Sequence, residues 1–229
     1  MTRILLSRKN TLKKSYIIKG KAEGMSKNFE YKVTEFIEIL KRTKIDNSFN
    51  PWAENSAEDI ENAAEIRCKN LKKFLIEREK AEFVLVAEAP SCGARYTGIP
   101  MTSEEVFSMD MFKGYKKTSK RQSPIEEKTA KLLWKEIQKD NKRFVFWNSF
   151  AFNDDKTGKY KKPKIKEIED KDNIKILKKF ISLYPQSKLI SVGRNAQIAI
   201  GMVYSEYIRH PSRCGEKIFC DKLKNFLLK

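Results

Sequence analysis

The chain has 229 residues, of which 40% are hydrophobic and 34% are charged, so it is long enough for one large domain or two small ones and can bury a core. This composition excludes a wholly disordered chain. No apolar run approaches the roughly 18 residues that a membrane-spanning helix needs, and the N-terminal residues lack the pattern of a secretory signal, so we expect a cytoplasmic protein with no membrane partner.

The charge is strongly positive, because 48 lysine and arginine residues face 30 acidic residues and give a net charge of +18. A field of this sign attracts polyanions, of which nucleic acid is the commonest in a cell. A lysine-rich and glycine-poor composition is also typical of an AT-rich genome. The charge therefore permits binding to nucleic acid without demonstrating it.

Basic residues are concentrated in two segments. Residues 1–44 hold 12 basic and 4 acidic residues, and we predict that residues 1–30 form a basic, flexible segment while residues 31–229 form a single domain. Residues 1–30 either contact the phosphates of a nucleic acid or are simply solvated. The run Lys159–Lys164 contains Tyr160 and is a candidate DNA contact, although a solvated loop has the same composition.

Few residues are suited to binding a metal. The four cysteines form no C-x-x-C pair, and His210 is the one histidine in the sequence, so neither a zinc site nor an iron–sulfur site is expected. Cysteines of cytosolic proteins are normally reduced. We therefore expect neither a disulfide bond nor a metal.

The first part of the domain is predicted to be helical. Apolar residues at helical spacing predict a helix over Tyr31–Lys44. A turn follows around Pro51, since asparagine and proline both interrupt regular structure there. Ser56 is a predicted N-cap, with Asp59 three positions later, and the helix that it opens is predicted to run to about Lys80.

Three continuous apolar runs predict strands that are buried on both faces, Phe83–Ala87, Phe144–Trp147 and Leu189–Val192. The predicted helices between and after them are Pro124–Lys139, Asp172–Leu183, Asn195–Val203 and Glu216–Leu228. Buried strands that alternate with helices predict a parallel sheet with helices on both faces. Ligands of such sheets bind beyond the carboxyl ends of the strands, so the residues that follow each strand are the candidates for function.

The segment after the first strand, residues 88–104, begins with the carboxylate of Glu88 and contains two glycines, two prolines and several hydroxyl groups. We predict an irregular, rigid loop that forms the wall of a pocket. The segment has neither the G-x-G-x-x-G pattern of a dinucleotide site nor the G-K-[ST] pattern of a phosphate loop, which disfavours a nucleotide cofactor.

The residues after the other strands also carry suitable chemistry. Asn148 offers a donor and an acceptor that suit the edge of a nucleobase, although asparagine at a strand end is also a common turn former. Gly193–Gln197 opens a helix whose N-terminal amides suit a phosphate. His210 lies in a proline-containing loop beside Ser212 and Arg213, where its ring can donate a hydrogen bond to an oxygen that gains negative charge.

In this order, these segments resemble the motifs of the uracil-DNA glycosylase superfamily. Glu88-Ala89-Pro90 resembles its first motif, Thr97–Glu104 the stretch with the base-stacking aromatic residue, and Asn148 the asparagine that reads uracil. Gly193–Gln197 is similar to the segment before the last motif, and His210-Pro211-Ser212 matches that motif. The resemblance spans most of the chain from about residue 50. It implies an α/β fold of three α/β/α layers with a central, mostly parallel four-stranded sheet.

The resemblance also implies a monomeric enzyme that flips uracil or another deaminated base out of single- or double-stranded DNA and hydrolyses its N-glycosidic bond without a cofactor. In this interpretation His210 stabilises the departing base, Asn148 pairs with its edge, and Glu88 faces the sugar and the attacking water. The implied base-binding residues are Ala89, Pro90, Tyr96, Met101 and Asn148. The implied DNA-binding residues are Ser103, Arg194, Asn195, Ser212, Arg213 and Lys217.

Two positions depart from the superfamily pattern. Ala89 stands where the best-known branch has the aspartate that positions water, and Met101 stands at the usual place of the stacking aromatic residue. Both favour a second hypothesis, a catalytically weak or inactive nucleic-acid-binding member of the same fold, whereas Asn148 and His210 favour the glycosylase. A third class, an unrelated nucleotide-processing α/β enzyme, would need a phosphate loop or a cluster of metal ligands.

Overall fold

The computed structural model describes residues 27–152, 162–201 and 205–228, without the side chains of Ser212, Arg213 and Leu227. Residues 1–26, which form most of the predicted basic segment, lie outside the described residues, and so does the basic run up to residue 161. The predicted DNA contacts of the Ser212 and Arg213 side chains lie outside them as well.

Four parallel strands form the centre of the fold. They are β1 (Phe83–Ala87), β2 (Phe144–Asn148), β3 (Lys188–Val192) and β4 (Glu206–Ile208). Their order is β2-β1-β3-β4, so every carboxyl end meets the same edge of the sheet. β1 and β2 are buried along their whole length, as their continuous apolar sequences predict. The three predicted strands are confirmed to within one residue at each end.

Helices cover both faces of this sheet. In chain order they are α1 (27–42), α2 (Ala63–Ile76), α3 (Cys92–Thr97), α4 (Lys128–Ile137), α5 (Ile165–Ile168), α6 (Lys171–Ser182), α7 (Arg194–Ile200), α8 (Pro211–Cys214) and α9 (Glu216–Leu227). Short 3₁₀ helices occupy Glu104–Ser108, Asp110–Phe112 and Gln138–Arg143. Within the described part of the chain, no helix has both the length and the apolar character that crossing a membrane requires.

Neighbouring aromatic residues of β2 show the three layers, because successive side chains of a strand point to opposite faces. The ring of Phe146 packs edge-on against Trp134 of α4, with centroids 5.1 Å apart. On the other face Trp147 contacts Phe36 of α1 at 5.2 Å and stacks on Phe180 of α6 at 4.6 Å. The predicted α/β/α architecture is therefore confirmed.

The start of α2 differs from its prediction. The helix begins at Ala63, and Ser56 lies in the turn before it. The backbone N–H of Ser56 donates to Asp59 Oδ2 at 2.7 Å. Asp59 is in turn held by Arg67, whose Nη1 and Nη2 donate to its two oxygens at 2.9 and 3.2 Å. Both side chains are fully buried. This pairing keeps Asp59 in the turn, so the prediction that Ser56 caps the helix is wrong.

The segment after β1 is more regular than predicted, because it contains α3. Ser91 caps this helix, its Oγ accepting from the N–H of Ala94 at 3.2 Å. Gly98 ends the helix with a φ of 71°. A Cβ at Gly98 would lie 2.6 Å from the Cβ of Arg67, so glycine is required there both by conformation and by the approach of α2. A helix of six residues is too short to produce a clear period in the sequence.

The remaining helices differ from their predictions mainly at the ends. α1 begins by residue 27 and ends at residue 42, and α4 begins four residues after the predicted Pro124. The predicted last turn of α4 belongs to the 3₁₀ helix Gln138–Arg143. α7 ends at Ile200 because Gly201 follows with a φ of 90°. α6 and α9 agree with prediction to within one residue.

Candidate active site

Residues that follow β1, β3 and β4 meet at the carboxyl edge of the sheet and line a cavity of about 750 Å³. Its lining residues are Ala87, Glu88, Ala89, Ser91, Glu127, Thr129, Lys162, Gly193, Arg194, Asn195, Tyr207, Arg209 and His210. Because parallel α/β sheets bind their ligands at this edge, this main cavity is the candidate active site.

Glu88 is fixed at the wall of the main cavity. Its carbonyl oxygen accepts from the N–H of Phe150 at 2.9 Å and from Ser149 Oγ at 2.7 Å, which ties the ends of β1 and β2 together. Its carboxylate accepts a hydrogen bond from Asn195 Nδ2, and the ammonium group of Lys162 lies 3.4 Å from the same oxygen. Asn195, which was predicted to contact DNA, is therefore engaged in positioning Glu88.

His210 reaches the main cavity from the segment after β4. The N–H of Gly193 donates to the carbonyl of Ile208 at 2.9 Å, so the ends of β3 and β4 stay together. Cys214 Sγ lies 3.5 Å from the carbonyl oxygen of His210, in the turn that forms α8. The structure thus brings the predicted catalytic residues Glu88 and His210 to one cavity, although the sequence separates them widely.

Glu127 is a second carboxyl group of the main cavity, and the sequence analysis missed it. It immediately precedes α4, and its Oε2 accepts a hydrogen bond from Ser91 Oγ. Burial raises the pKa of Glu127, and the hydrogen bond from Ser91 opposes that change in part. In the sequence Glu127 is one of two adjacent acidic residues before a helix, a pattern that favours the helix dipole and gives no sign of a site.

Asn148 ends β2 in register with Ala87 and is only 2% exposed. It lines a second, small cavity of about 10 Å³, together with Trp52, Pro90 and Arg95 among others. Neither Oδ1 nor Nδ2 of Asn148 has a hydrogen-bond partner among the residues that the structure describes. Buried polar groups are nearly always paired, so this amide is an exception that needs an explanation.

The two cavities adjoin along the first predicted motif, because Ala89 lines the main cavity and its neighbour Pro90 lines the small one. Glu88 and His210 therefore lie in one cavity, and Asn148 lies in the next. The small cavity has room for about one water molecule.

The fold is similar to that of a solved structure, SMUG2 from Pedobacter heparinus, a uracil-DNA glycosylase family member. The TM-score is 0.59, and the match covers 87% of this chain and 96% of that chain. This chain has the uracil-DNA glycosylase fold. The sequences are 15% identical, so the similarity concerns the fold. No protein-family model matches the chain, and no curated protein matches its sequence.

Three residues implied by the resemblance to this fold do not reach either cavity. Tyr96 is buried, and its hydroxyl oxygen accepts a hydrogen bond from Arg95 Nη2 at 2.5 Å. Met101 lies in the core, where its carbonyl oxygen accepts from Trp134 Nε1 at 3.1 Å. Ser103 is fully buried, which leaves no surface for the predicted DNA contact. Their predicted contacts with base or DNA do not fit this burial.

Trp52 supplies the aromatic ring of the small cavity instead. Its ring stacks on Trp147 with centroids 5.7 Å apart, and its Nε1 donates to the carbonyl of Gly98 at 3.1 Å. The sequence analysis missed Trp52 because it precedes the first strand and belongs to none of the segments that follow strands. Its position depends on the packing of the 49–52 turn against α3 and β2.

The cationic residues of the site lie at its surface. Arg194, Arg209 and Lys162 are exposed and line the main cavity. Lys217, another predicted DNA contact, is exposed on α9 and lines neither of the two cavities. The entrance of the main cavity is therefore suited to an anionic ligand.

Proposed function

We propose that this protein is a DNA glycosylase that flips uracil or another deaminated base out of DNA and hydrolyses its N-glycosidic bond. The observation that carries the proposal is the buried, unpaired amide of Asn148, which adjoins a cavity that holds Glu88 and His210. An amide in this state has the hydrogen-bonding capacity to read the edge of a base. The fold shared with SMUG2 supports the same assignment.

The roles of the residues follow from the chemistry of the bond. When the bond between the sugar C1′ and the base nitrogen breaks, its electron pair leaves with the base and the sugar becomes electron-poor. Asn148 pairs with the base edge, His210 donates to the oxygen that gains charge, and the carboxylate of Glu88 stabilises the sugar. Water then adds to C1′ and must lose a proton.

We assign the acceptance of this proton to the carboxylate of Glu127. It lines the main cavity with Glu88, and Ala89 beside them carries no group that could accept a proton. Burial raises the pKa of Glu127 above its ordinary value, which suits a group that takes a proton from water. The small side chain of Ala89 leaves space for the water on this side of the first motif.

Binding of a base requires the small cavity to widen, because its volume of about 10 Å³ accommodates little more than one water molecule. Its walls include Pro51 and Trp52 from the turn before α2 and Ile99 and Pro100 from the segment after α3, two segments that the hydrogen bond from Trp52 Nε1 to the carbonyl of Gly98 links. Neither wall is a strand of the sheet. Separation of these two segments would expose Asn148 without disturbing the β1–β2 pairing that positions it.

The test is release of the base from oligonucleotides that carry uracil, in single and double strands, followed by cleavage of the abasic site with alkali. His210→Ala is expected to lower the single-turnover rate by about a hundredfold, because one donor to a developing charge is lost. Asn148→Ala is expected to lower it by at least about tenfold.

The matched control is Asn225→Ala, since Asn225 is exposed on α9 and lines neither of these cavities. This variant should retain the full rate. Activity that survives His210→Ala and Asn148→Ala unchanged would contradict the assignment of the site.

The second candidate function is a nucleic-acid-binding protein without glycosylase activity. Ala89 and the closed state of the small cavity favour it, because both affect the groups that would perform the reaction. The same oligonucleotides distinguish the two functions. Tight binding without release of uracil, hypoxanthine or xanthine would leave this candidate as the better account.

A further inference from the structure

Arg95, which also lines the small cavity, carries a second polar group with unused hydrogen-bonding capacity, its guanidinium. Arg95 is 1% exposed, and its Nε and Nη1 have no acceptor in the described ranges of the chain. Its Nη2 donates to the hydroxyl of Tyr96 at 2.5 Å and to Ser56 Oγ at 3.3 Å. The guanidinium also lies over two rings, 4.5 Å from the centroid of Tyr96 and 5.3 Å from that of Phe49. Its neighbours fix the group while two donor positions stay unpaired.

The neighbouring Arg67 shows what a structural arginine looks like in the same region. Arg67 is also fully buried, and its Nε donates to the carbonyl of Pro51 at 2.6 Å. Its Nη2 donates to the carbonyl of Glu54 at 2.7 Å, and both terminal nitrogens bond the carboxylate of Asp59. Every nitrogen of Arg67 has an acceptor. Arg95 is equally buried, but among the described residues its Nε and Nη1 have no acceptor and no carboxylate balances its charge, and burial of a cation that is paired only in part is costly.

Arg95 and Asn148 line the same small cavity and are both unpaired, but they do not bond each other. Asn148 has an acceptor oxygen and Arg95 has only donors, so a direct bond would form if the two groups were within reach. The two groups are therefore beyond hydrogen-bonding reach of each other, and we infer that the small cavity, which both residues line, is the gap between them. A molecule that fills this gap must present an acceptor to Arg95 and a donor beside an acceptor to Asn148.

We propose that Arg95 selects bases that carry an imide edge, an N–H flanked by two carbonyl oxygens, and that uracil and xanthine are therefore preferred over hypoxanthine. Asn148 takes the N–H and one carbonyl, and Arg95 donates to the other carbonyl. Hypoxanthine has a C–H at the second position, so it would leave the buried guanidinium unpaired. This inference rests on the proposed function and names its substrate class.

The experiment compares matched oligonucleotides that contain uracil, xanthine or hypoxanthine. The wild-type protein is expected to release uracil and xanthine at least about tenfold faster than hypoxanthine, because the missing carbonyl costs one hydrogen bond to a charged group. Xanthine and hypoxanthine differ at C2 and in the proton on the neighbouring N3, so the wild-type ratio is compared with that of variants of Arg95, for which both bases stay the same. Equal rates for the two purines would overturn the proposal.

Arg95→Gln is expected to reduce the ratio of xanthine to hypoxanthine release towards one, and Arg95→Lys to restore part of it. Both rates are measured on one preparation, so a smaller folded fraction lowers them equally and does not change their ratio. A purely structural role for Arg95 would therefore leave the ratio unchanged. A ratio unchanged in Arg95→Gln would overturn the proposal and indicate that an ordered water fills the gap.

The two proposals fail in different ways. If the wild-type protein releases no base, the glycosylase assignment fails. Base selection by Arg95 is then measured as the affinity for the same oligonucleotides, since a binding protein with this cavity would retain the preference. Equal affinities for xanthine- and hypoxanthine-containing DNA would overturn the role of Arg95 in that case.

Discussion

Two carboxyl groups share the main cavity but have different partners. Glu88 accepts a hydrogen bond from Asn195 and lies 3.4 Å from the ammonium group of Lys162. Glu127 accepts from a neutral hydroxyl, that of Ser91, and its burial raises its pKa. Pairs of acids in unlike environments commonly divide the work of a reaction. The environment of Glu127 suits a group that gains and loses a proton.

Glu127→Gln tests this division through pH. If Glu127 acts as the base, the wild-type rate should fall as the pH drops through its raised pKa, which lies above the ordinary 4.5, because the carboxyl is then protonated. The variant should lose at least about a hundredfold in rate together with this acid limb. Single-turnover rates between pH 4 and 8 provide the measurement.

Stability provides the control for this variant. A carboxyl whose pKa is raised on folding holds its proton more tightly in the native state, so its contribution to stability is present at low pH and is lost as the pH rises. Glutamine carries no charge, so Glu127→Gln should be at least as stable as the wild type at neutral pH. An active variant that keeps the acid limb would show that another group takes the proton.

At the scale of elements, the site depends on contacts that continue past the strand ends. The N–H of Ser149 donates to the carbonyl of Ala87 at 2.7 Å, so β1 and β2 stay paired beside Asn148. Asn173 of α6 then holds the following residues, its Nδ2 donating to the carbonyl of Ser149 at 2.7 Å and its Oδ1 accepting from the N–H of Ala151 at 3.1 Å. This network fixes the backbone of Asn148 and leaves its side chain unpaired.

The contact between α3 and α2 can be tested at Gly98. Gly98→Ala should destabilise the protein by about 3 kcal/mol, because the added Cβ would meet the backbone and Cβ of Arg67 and a positive φ is already unfavourable for alanine. Gly114→Ala is the control, since Gly114 also has a positive φ of 84°, and among the described residues its added Cβ would meet only the ammonium group of Lys73, the end of a flexible side chain.

The control should cost only about 1 kcal/mol, which is the conformational term alone. Urea unfolding of both variants and the wild type gives the two differences. Equal destabilisation would show that the approach of α2 to Gly98 contributes nothing and that only the backbone conformation matters.

At the scale of the whole molecule, the charge of +18 supplies a general attraction to polyanions such as DNA. The exposed cations around the main cavity favour binding of a polyanion at that edge of the sheet. Arg194 and Arg209 follow β3 and β4, at the carboxyl edge of the sheet. Lys142 lies shortly before β2, and Lys188 is the first residue of β3, so both lie at the opposite edge of the sheet. The fold therefore offers cations at both edges, but only one edge has the candidate site.

DNA affinity measured against salt distinguishes these two edges. Affinity should fall steeply as salt rises, and the double variant Arg194→Ala, Arg209→Ala should reduce the slope of log affinity against log salt by about 2, because two phosphate contacts are lost. The double variant Lys142→Ala, Lys188→Ala removes the same charge from the opposite edge. It should leave the slope almost unchanged, and an equal loss in both variants would indicate that DNA is bound by net charge without a defined surface.

Much of the fold could be predicted because burial on both faces leaves a direct trace in the sequence. The run Phe83–Ala87 is continuous and apolar, and it is a strand over the predicted range. β4 has three residues, of which two are exposed, so it leaves no comparable trace. The start of α2 depends on the buried pair between Asp59 and Arg67, which local propensity does not contain.

The amino-acid sequence was enough to predict β1, β2 and β3 and the positions of Glu88 and Asn148 at strand ends, since these follow from local pattern and from the geometry of parallel sheets. Only the tertiary structure decided which of them share a cavity and which polar groups remain unpaired. Glu127 and Arg95 became candidates in this way. Burial and hydrogen bonding depend on neighbours that are distant in the sequence, and a chain read residue by residue does not contain that information.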